Sequence, residues 1–255
     1  LQAAHQVLDH VIRVSDFPRQ HSATEQLRLR NPRHSRHNGS GLALAFQSHG
    51  LLTGPELLNR PKIRLHLLAD RHLVVHSPMP ATNSALKDSW LAELESILGI
   101  DEKMISFCRF STDQLDDSGP ARFSRMTSLY SPLLAAAARS LKQRMARHTG
   151  EIDIRLSMPN IRRLKWDEDN FAGTPFIGRS WAAAVLTLEV DPIRALAVIK
   201  RVWITIHAGA ILAPQRATQY IQQSVRESLL SQGTVLSDGL AIEVEFLGHE
   251  RYLAT

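Results

Sequence analysis

Short runs in which apolar and polar residues alternate recur along this chain, separated by helix-length amphipathic stretches. That interleaving constrains the fold more than any other feature. Ile63-Arg64-Leu65-His66-Leu67 alternates apolar with basic, as a strand with one buried face does. Leu73 to His76 is predicted to pair with it. Ile105 to Phe110, Ile152 to Leu156, Val202 to Ile206 and Leu240 to Leu247 read as further strands, as does the β-rich run Val185 to Val190. Val7 to Val14 is expected to be a strand closed by Asp16-Phe17-Pro18, and Leu42 to Phe46 a short apolar one. Asn83 or Ser84 can cap a helix that runs to Leu98 and stops at Gly99, with Trp90, Leu91, Leu94 and Leu98 on one face. Ser131-Pro132 opens a second helix, through Ala135 to Ala138 and on to Arg147. Ile193 to Lys200 and Thr218 to Gln232 are expected to be helical as well.

No glycine-rich phosphate-binding signature, G-x-G-x-x-G after a strand or G-x-x-x-x-G-K-[ST], interrupts these elements, which argues against a doubly wound nucleotide-binding fold. The mixture points to an α+β protein built from two ferredoxin-like, βαββ-type units, the second divergent and followed by a mixed C-terminal extension. The expected division is a domain over 1–118 and a C-terminal region over 119–255, with a basic helix at 131–149 and the extension at 191–255.

The chain has 255 residues, 44% of them hydrophobic and 22% charged, a composition that buries a core and does not describe a disordered chain. No apolar run approaches the roughly 18–20 residues that span a bilayer, so no membrane partner is expected. No signal-peptide pattern opens the chain. The single cysteine, Cys108, cannot form an internal disulfide and favours a reducing compartment; the expected location is cytoplasmic.

Thirty Lys and Arg face 25 Asp and Glu, a net charge of +5, and the positive residues cluster. Arg28, Arg30, Arg33 and Arg36 accompany His34 and His37 in a stretch without an acid, broken by Asn-Pro and Asn-Gly turn signals. Arg139, Lys142, Arg144 and Arg147 project from the second helix, with Arg122 and Arg125 just upstream. Guanidinium groups in this density suit phosphate, and a helix so decorated can neutralise a nucleic-acid backbone, gripping RNA by shape more than by sequence. Other chemistry is poorly supported. His34-x-x-His37 has the spacing of a metal pair but no completing ligand, Cys108 reads as a buried thiol, and Asp167, Glu168 and Asp169 beside Trp166 read as a solvated acidic turn. No metal or cofactor is expected.

The order of features resembles the CRISPR repeat-processing endoribonucleases of the type I-F kind over about residues 7–190. Leu8-Asp9-His10-Val11-Ile12-Arg13-Val14 with Phe17-Pro18 is similar to the family's opening segment, and Gly41 to Phe46 and Lys62-Ile63-Arg64-Leu65-His66 to its next strands. Trp90-Leu91-Ala92-Glu93-Leu94, the arginine-bearing helix at 139–147, and Pro175-Phe176-Ile177-Gly178-Arg179-Ser180 follow in the family's order. The chain departs from the family where Pro32 and Gly39 break the region of its catalytic histidine, where Trp181-Ala182-Ala183-Ala184 follows Ser180, and in the residues from Asp191 onward.

The resemblance implies a protein that binds a hairpin in precursor CRISPR RNA and cleaves it without a metal, then stays bound in an effector complex with other protein subunits. In such a reaction a histidine, His34 or His37, takes the proton from a ribose 2′-hydroxyl, which attacks the adjacent phosphate. Ser180 would orient the hydroxyl and arginines would stabilise the phosphate charge. The alternatives are a non-catalytic RNA-binding subunit of a ribonucleoprotein and a protein-interaction or assembly subunit whose basic patches are solvent faces. A DNA-binding protein ranks below these, because no convincing helix-turn-helix is present.

Overall fold

The computed structural model describes residues 1–30, 36–52, 62–78, 84–108, 122, 124–158, 166–167 and 169–248. In chain order the elements are α1 (Gln2–Val14), α2 (Phe17–Arg30), β1 (His37–Leu51), β2 (Lys62–Leu67), β3 (Leu73–His76), α3 (Ser84–Leu98), β4 (Ile105–Phe107), α4 (Ser131–Met145), β5 (Ile152–Ser157), β6 (Trp166–Asp167), β7 (Ala172–Gly173), β8 (Phe176–Asp191), β9 (Leu196–His207), α5 (Pro214–Ser231) and β10 (Val235–Leu247). The class is α+β. The residues group into two compact units, one formed by Leu1–Gln47 with Ser180–Leu253 and the other by Ser48–Arg179. The boundary expected at 118/119 lies outside the described residues.

The first unit is built on a four-stranded sheet of order β1-β8-β9-β10. β8 and β9 form an antiparallel hairpin, and β10 returns parallel to β9 after α5. The hairpin turn replaces the helix expected over Ile193 to Lys200. The Asp191 carboxylate accepts the backbone N–H groups of Ile193 and Arg194 at 3.0 and 3.1 Å, and Ala195 takes a left-handed φ of 50°. An aspartate bound to the backbone two and three residues on makes a turn, and from Leu196 the chain is already a strand.

Helices flank this sheet. Ala183, Val185 and Trp203 pack with Val7 and Val11 of α1. The alternate residues Val202 and Ile204, with Leu240 and Ile242, pack with Ile221, Val225 and Leu229 of α5. Strands buried this way read as near-continuous apolar runs, which is how Ala182 to Leu188 and Val202 to Ile206 appear in the sequence.

The segment expected as an opening strand is α1. Ala4, Val7 and Val11 are its buried residues, spaced three and four apart as on one helix face. Apolar pairs at 7, 8 and 11, 12 fit a period of 3.6 better than one of two. Asp16, at φ 49°, turns the chain into α2, and Pro18 sits in the first turn of that helix, where its missing N–H costs nothing.

The second unit carries a sheet of order β4-β3-β2-β5. β2 pairs antiparallel with β3 and with β5, and β3 pairs parallel with β4, a connection made through α3. α4 packs on β2 and β5, with α3 beside it. The buried Trp90 of α3 donates its indole N–H to Ser131 Oγ of α4 at 2.7 Å, and the small buried residues Ala135, Ala137 and Ala138 allow close approach of neighbouring elements. Ile63, Leu65 and Leu67 are buried beneath this layer while Arg64 and His66 face the other way. From β2 to β5 the described elements of this unit therefore run ββαβαβ, followed by the short pair β6 and β7, and not in the βαββ order expected from sequence. No helix of the described residues is long and apolar enough to cross a membrane.

Candidate functional site

Parallel β9 and β10 end together at His207 and Leu247, and ligands of open α/β sheets gather outside such carboxyl ends. Here an open crevice of about 920 Å³ is lined by Gln6, Asp9, His10, Arg13, His207, Gly209, Leu247 and Gly248, all residues of the first unit. α1 supplies Gln6, Asp9, His10 and Arg13 from the edge of its buried face, and the strand ends supply the rest.

The polar groups are linked. Arg13 donates to His10 Nδ1 at 3.0 Å, and His10 Nε2 lies 2.5 Å from Glu245 Oε2. A guanidinium has only donors, so Nδ1 accepts and the imidazole proton sits on Nε2, donated to Glu245. The chain Arg13–His10–Glu245 thus holds the ring in one tautomer at the crevice wall. Gly248 completes the wall for a steric reason: at φ 70°, a Cβ there would lie 2.6 Å from His207 Nε2. The arrangement can bind a polar ligand beside an imidazole of fixed orientation. Sequence reading missed it because α1 was expected to be a strand, which puts His10 and Arg13 on opposite faces; their i,i+3 spacing on a helix was the available signal.

The second unit presents a different polar surface, the side of its sheet away from α4. Arg64 Nε bonds Asp153 Oδ1 at 2.8 Å, and Arg155 reaches Asp153 Oδ2 at 3.1 Å. Burial raises the Asp153 pKa, but the bonds from Arg64 and Arg155 outweigh it and hold the carboxyl below the usual carboxylate range. His66 bonds Glu151. Burial first, and then the charges of Arg64 and His66, push His76 below the ordinary histidine value. In the same unit His49 bonds Ser128 Oγ at 3.0 Å, and burial lowers its pKa too.

The residues singled out from sequence are scattered. Arg28 and Arg30 are exposed in the last turn of α2, Arg28 paired with Glu25 at 2.8 Å. Arg33 and His34 lie outside the described residues. Arg36 is exposed and pairs with Glu189 at 3.0 Å, so the stretch is not free of acids in space. His37 is the first residue of β1, half-buried. Arg122 is exposed, but Arg125 corrects its expected role: it is 1% exposed and donates from Nε to the Leu51 carbonyl at 3.1 Å, an interior fastening and not a surface contact. Arg139, Lys142, Arg144 and Arg147 are exposed along and just past the end of α4, as expected.

His37 and Ser180 are not brought together. Arg36, next to His37, pairs with Glu189, and Gly39 lies against Leu188, whereas the Phe46 ring packs tilted against Trp181 at 5.2 Å between centroids, beside Ser180. The two strands therefore run in opposite senses, and Glu189 lies nine positions along β8 from Ser180. At roughly 3.3 Å per residue this is about 30 Å, far beyond the reach of a shared catalytic hydrogen bond.

No family model matches the chain, and no curated protein matches it. Solved structures do. Aldehyde oxidoreductase from Desulfovibrio gigas is similar with a TM-score of 0.61 at 15% identity, over 91% of this chain and 29% of that one. A Cu,Mo-CO dehydrogenase gives 0.61 at 10% identity, over 82% and 31%. Quinoline 2-oxidoreductase from Pseudomonas putida 86 gives 0.57 at 9% identity, over 96% and 38%. At these identities the likeness is one of fold. The chain spans 23% to 38% of the length of the structures it matches.

Proposed function

We propose that this chain is a module of a larger oxidoreductase assembly, of the architectural kind found in aldehyde oxidoreductase, CO dehydrogenase and quinoline 2-oxidoreductase, and that its crevice at the ends of β9 and β10 contributes polar contacts to a bound ligand. The observation that carries this reading is the fold likeness over 82% to 96% of this chain to three such oxidoreductases. Among the described residues no three His, Cys, Asp or Glu side chains form a group fit to hold a metal. In this reading the redox centre belongs to the rest of the assembly, and the chain's own part is binding and orientation through Arg13, His10 and Glu245.

The test is purification of the protein from its source at native abundance, followed by mass determination and assay of dye reduction with aldehydes or N-heterocycles. The expected result is co-elution with further polypeptides in an assembly well above 28.5 kDa, with substrate-dependent dye reduction. Elution as a free chain, or with RNA in place of further polypeptides, overturns the reading.

A second reading, hairpin RNA binding inside a ribonucleoprotein, is favoured by one observation. Arg139, Lys142, Arg144 and Arg147 are all exposed along and just past the end of α4. In this reading the helix end contacts phosphates, and the CRISPR-repeat cleavage implied by the sequence resemblance does not use His37 with Ser180. Labelled RNA hairpins in EDTA separate the two readings. Hairpin-selective binding that survives about physiological salt, and that is lost when the four cations are replaced by alanine, supports the second; its absence leaves the oxidoreductase module.

A further inference from the structure

The sheet of the second unit sets like charges against one another. On its face away from α4, Arg64 of β2 stands opposite Arg155 of β5 and opposite His76 of β3. Three basic side chains therefore form one row across three neighbouring strands, although like charges directly opposite destabilise a strand pair. Asp153 serves both guanidiniums: Oδ1 accepts from Arg64 Nε at 2.8 Å and Oδ2 from Arg155 Nε at 3.1 Å. Two guanidiniums against one carboxylate leave one positive charge in excess. Glu151, of the same unit, bonds His66 instead.

This sharing also prepares the row for a ligand. Each guanidinium is fastened to its own oxygen of a single carboxylate, which fixes the two forks relative to each other. A guanidinium carries five N–H donors, and among the described residues Asp153 engages Arg64 through Nε, leaving its terminal nitrogens for a further acceptor. The Arg64 side chain is 35% exposed and that of Arg155 72%, so both can be reached from solvent. On the other side of Arg64, burial and then the charges of Arg64, His66 and Arg155 hold His76 below the ordinary histidine value, against the opposing pull of Asp153. An anion that offsets those charges lets His76 take up a proton.

We propose that Arg64, Arg155 and His76 form a binding site for a small phosphate monoester, with the guanidiniums donating to its phosphate oxygens. Planar guanidinium forks match phosphate geometry. The charge count selects the monoester: one excess charge plus one proton on His76 balances the roughly −1.5 to −2 of such a group near pH 7. A carboxylate or phosphodiester carries a single charge, and a row this short neutralises few phosphates of a nucleic-acid backbone. The site belongs to the second unit and does not rest on the oxidoreductase reading.

The test is calorimetric titration of the full chain with phenyl phosphate, with dimethyl phosphate and acetate as singly charged comparisons. Phenyl phosphate should saturate one site per chain and bind about ten-fold or more tighter than either comparison, the scale of one charged hydrogen bond. Arg155→Gln, a change at an exposed side chain, should weaken it by a similar factor with the circular dichroism spectrum unchanged. Arg64→Lys, which keeps the charge and loses the fork, should weaken it as well. Sulfate stays doubly charged from about pH 8 to 6, the range in which histidine titrates. Its binding should therefore tighten as the pH falls, and His76→Gln should remove that trend. No saturable binding of phenyl phosphate, equal binding of dimethyl phosphate, parental binding by Arg155→Gln, or a pH trend that survives in His76→Gln overturns the proposal.

Discussion

The two units solve the same problem, covering a four-stranded sheet, in different ways. In the first, α1 and α5 flank the sheet, so Ala183, Val185 and Trp203 are in one core cluster and Val202, Ile204 and Ile242 in another. In the second, α4 and α3 form one layer, and the opposite side of β2 and β5 displays Arg64, His66, Asp153 and Arg155. The difference shows where each unit places its polar groups. A sheet with apolar cores on both sides puts its linked polar chain, Arg13–His10–Glu245, at the strand ends. The second sheet spreads ion pairs across the half-buried face away from α4. His49, His76 and Asp153, whose ionisation the fold perturbs, all belong to the second unit.

The largest way to break this comparison is Trp90→Ala. Trp90 is 0% exposed and binds Ser131, so its loss should cost the second unit about 3–5 kcal/mol, the usual range for a buried aromatic. Hydrogen exchange checks where the loss falls: amides of β2, β3 and α4 should lose protection while those of β9 and β10 keep theirs. Equal loss in both units would mean that they unfold as one.

Val11→Ala is the counterpart in the first unit. It removes two buried methyl groups from the cluster beneath α1, with an expected cost of about 2 kcal/mol. The urea midpoint should fall, and protection should be lost in α1 and β9, with β2 and β3 retained.

Acidification sharpens the comparison with the smallest effect. His49 and His76 have folded pKa values below the ordinary 6.5, so near and below that pH the unfolded chain binds more protons than the folded one. Stability is complete above about pH 7 and falls as the pH drops through the histidine range. Asp153 is depressed below 3.8, so its contribution is held above that value and lost only on further acidification. Urea midpoints across pH 7.5 to 3 should show both declines, and His76→Gln should flatten the first. A midpoint that rises between pH 7 and 5 would contradict this account.

Much of the fold was legible before the structure. The alternation in Ile63 to Leu67 marked β2, its pairing with Leu73 to His76 held, and the helices at Ser84–Leu98 and Ser131–Met145 begin where their capping and proline signals place them. Two elements were misread for one reason. Val7 to Val14 and Ile193 to Lys200 are short apolar stretches, and contacts distant or specific to the turn decide them: the core cluster on β8 and β9 that receives Val7 and Val11, and the Asp191 carboxylate that closes a turn.

The candidate site was less legible than the fold. The sequence marked charge density, and the exposed cations of α4 stand where it placed them. It did not reveal that Arg125 turns inward, that Arg36 is paired to Glu189, or that His37 and Ser180 lie about 30 Å apart along a strand.

By itself, then, the sequence determined the α+β class, the sheets' apolar faces and the surface placement of the α4 cations, because these depend on local periodicity and solvation. Only the tertiary structure decided that residues 1–47 and those from 180 onward form one unit, and that His10 meets Glu245 across 235 positions of chain. Such contacts depend on which strands pair, and pairing is chosen by the packing of whole layers.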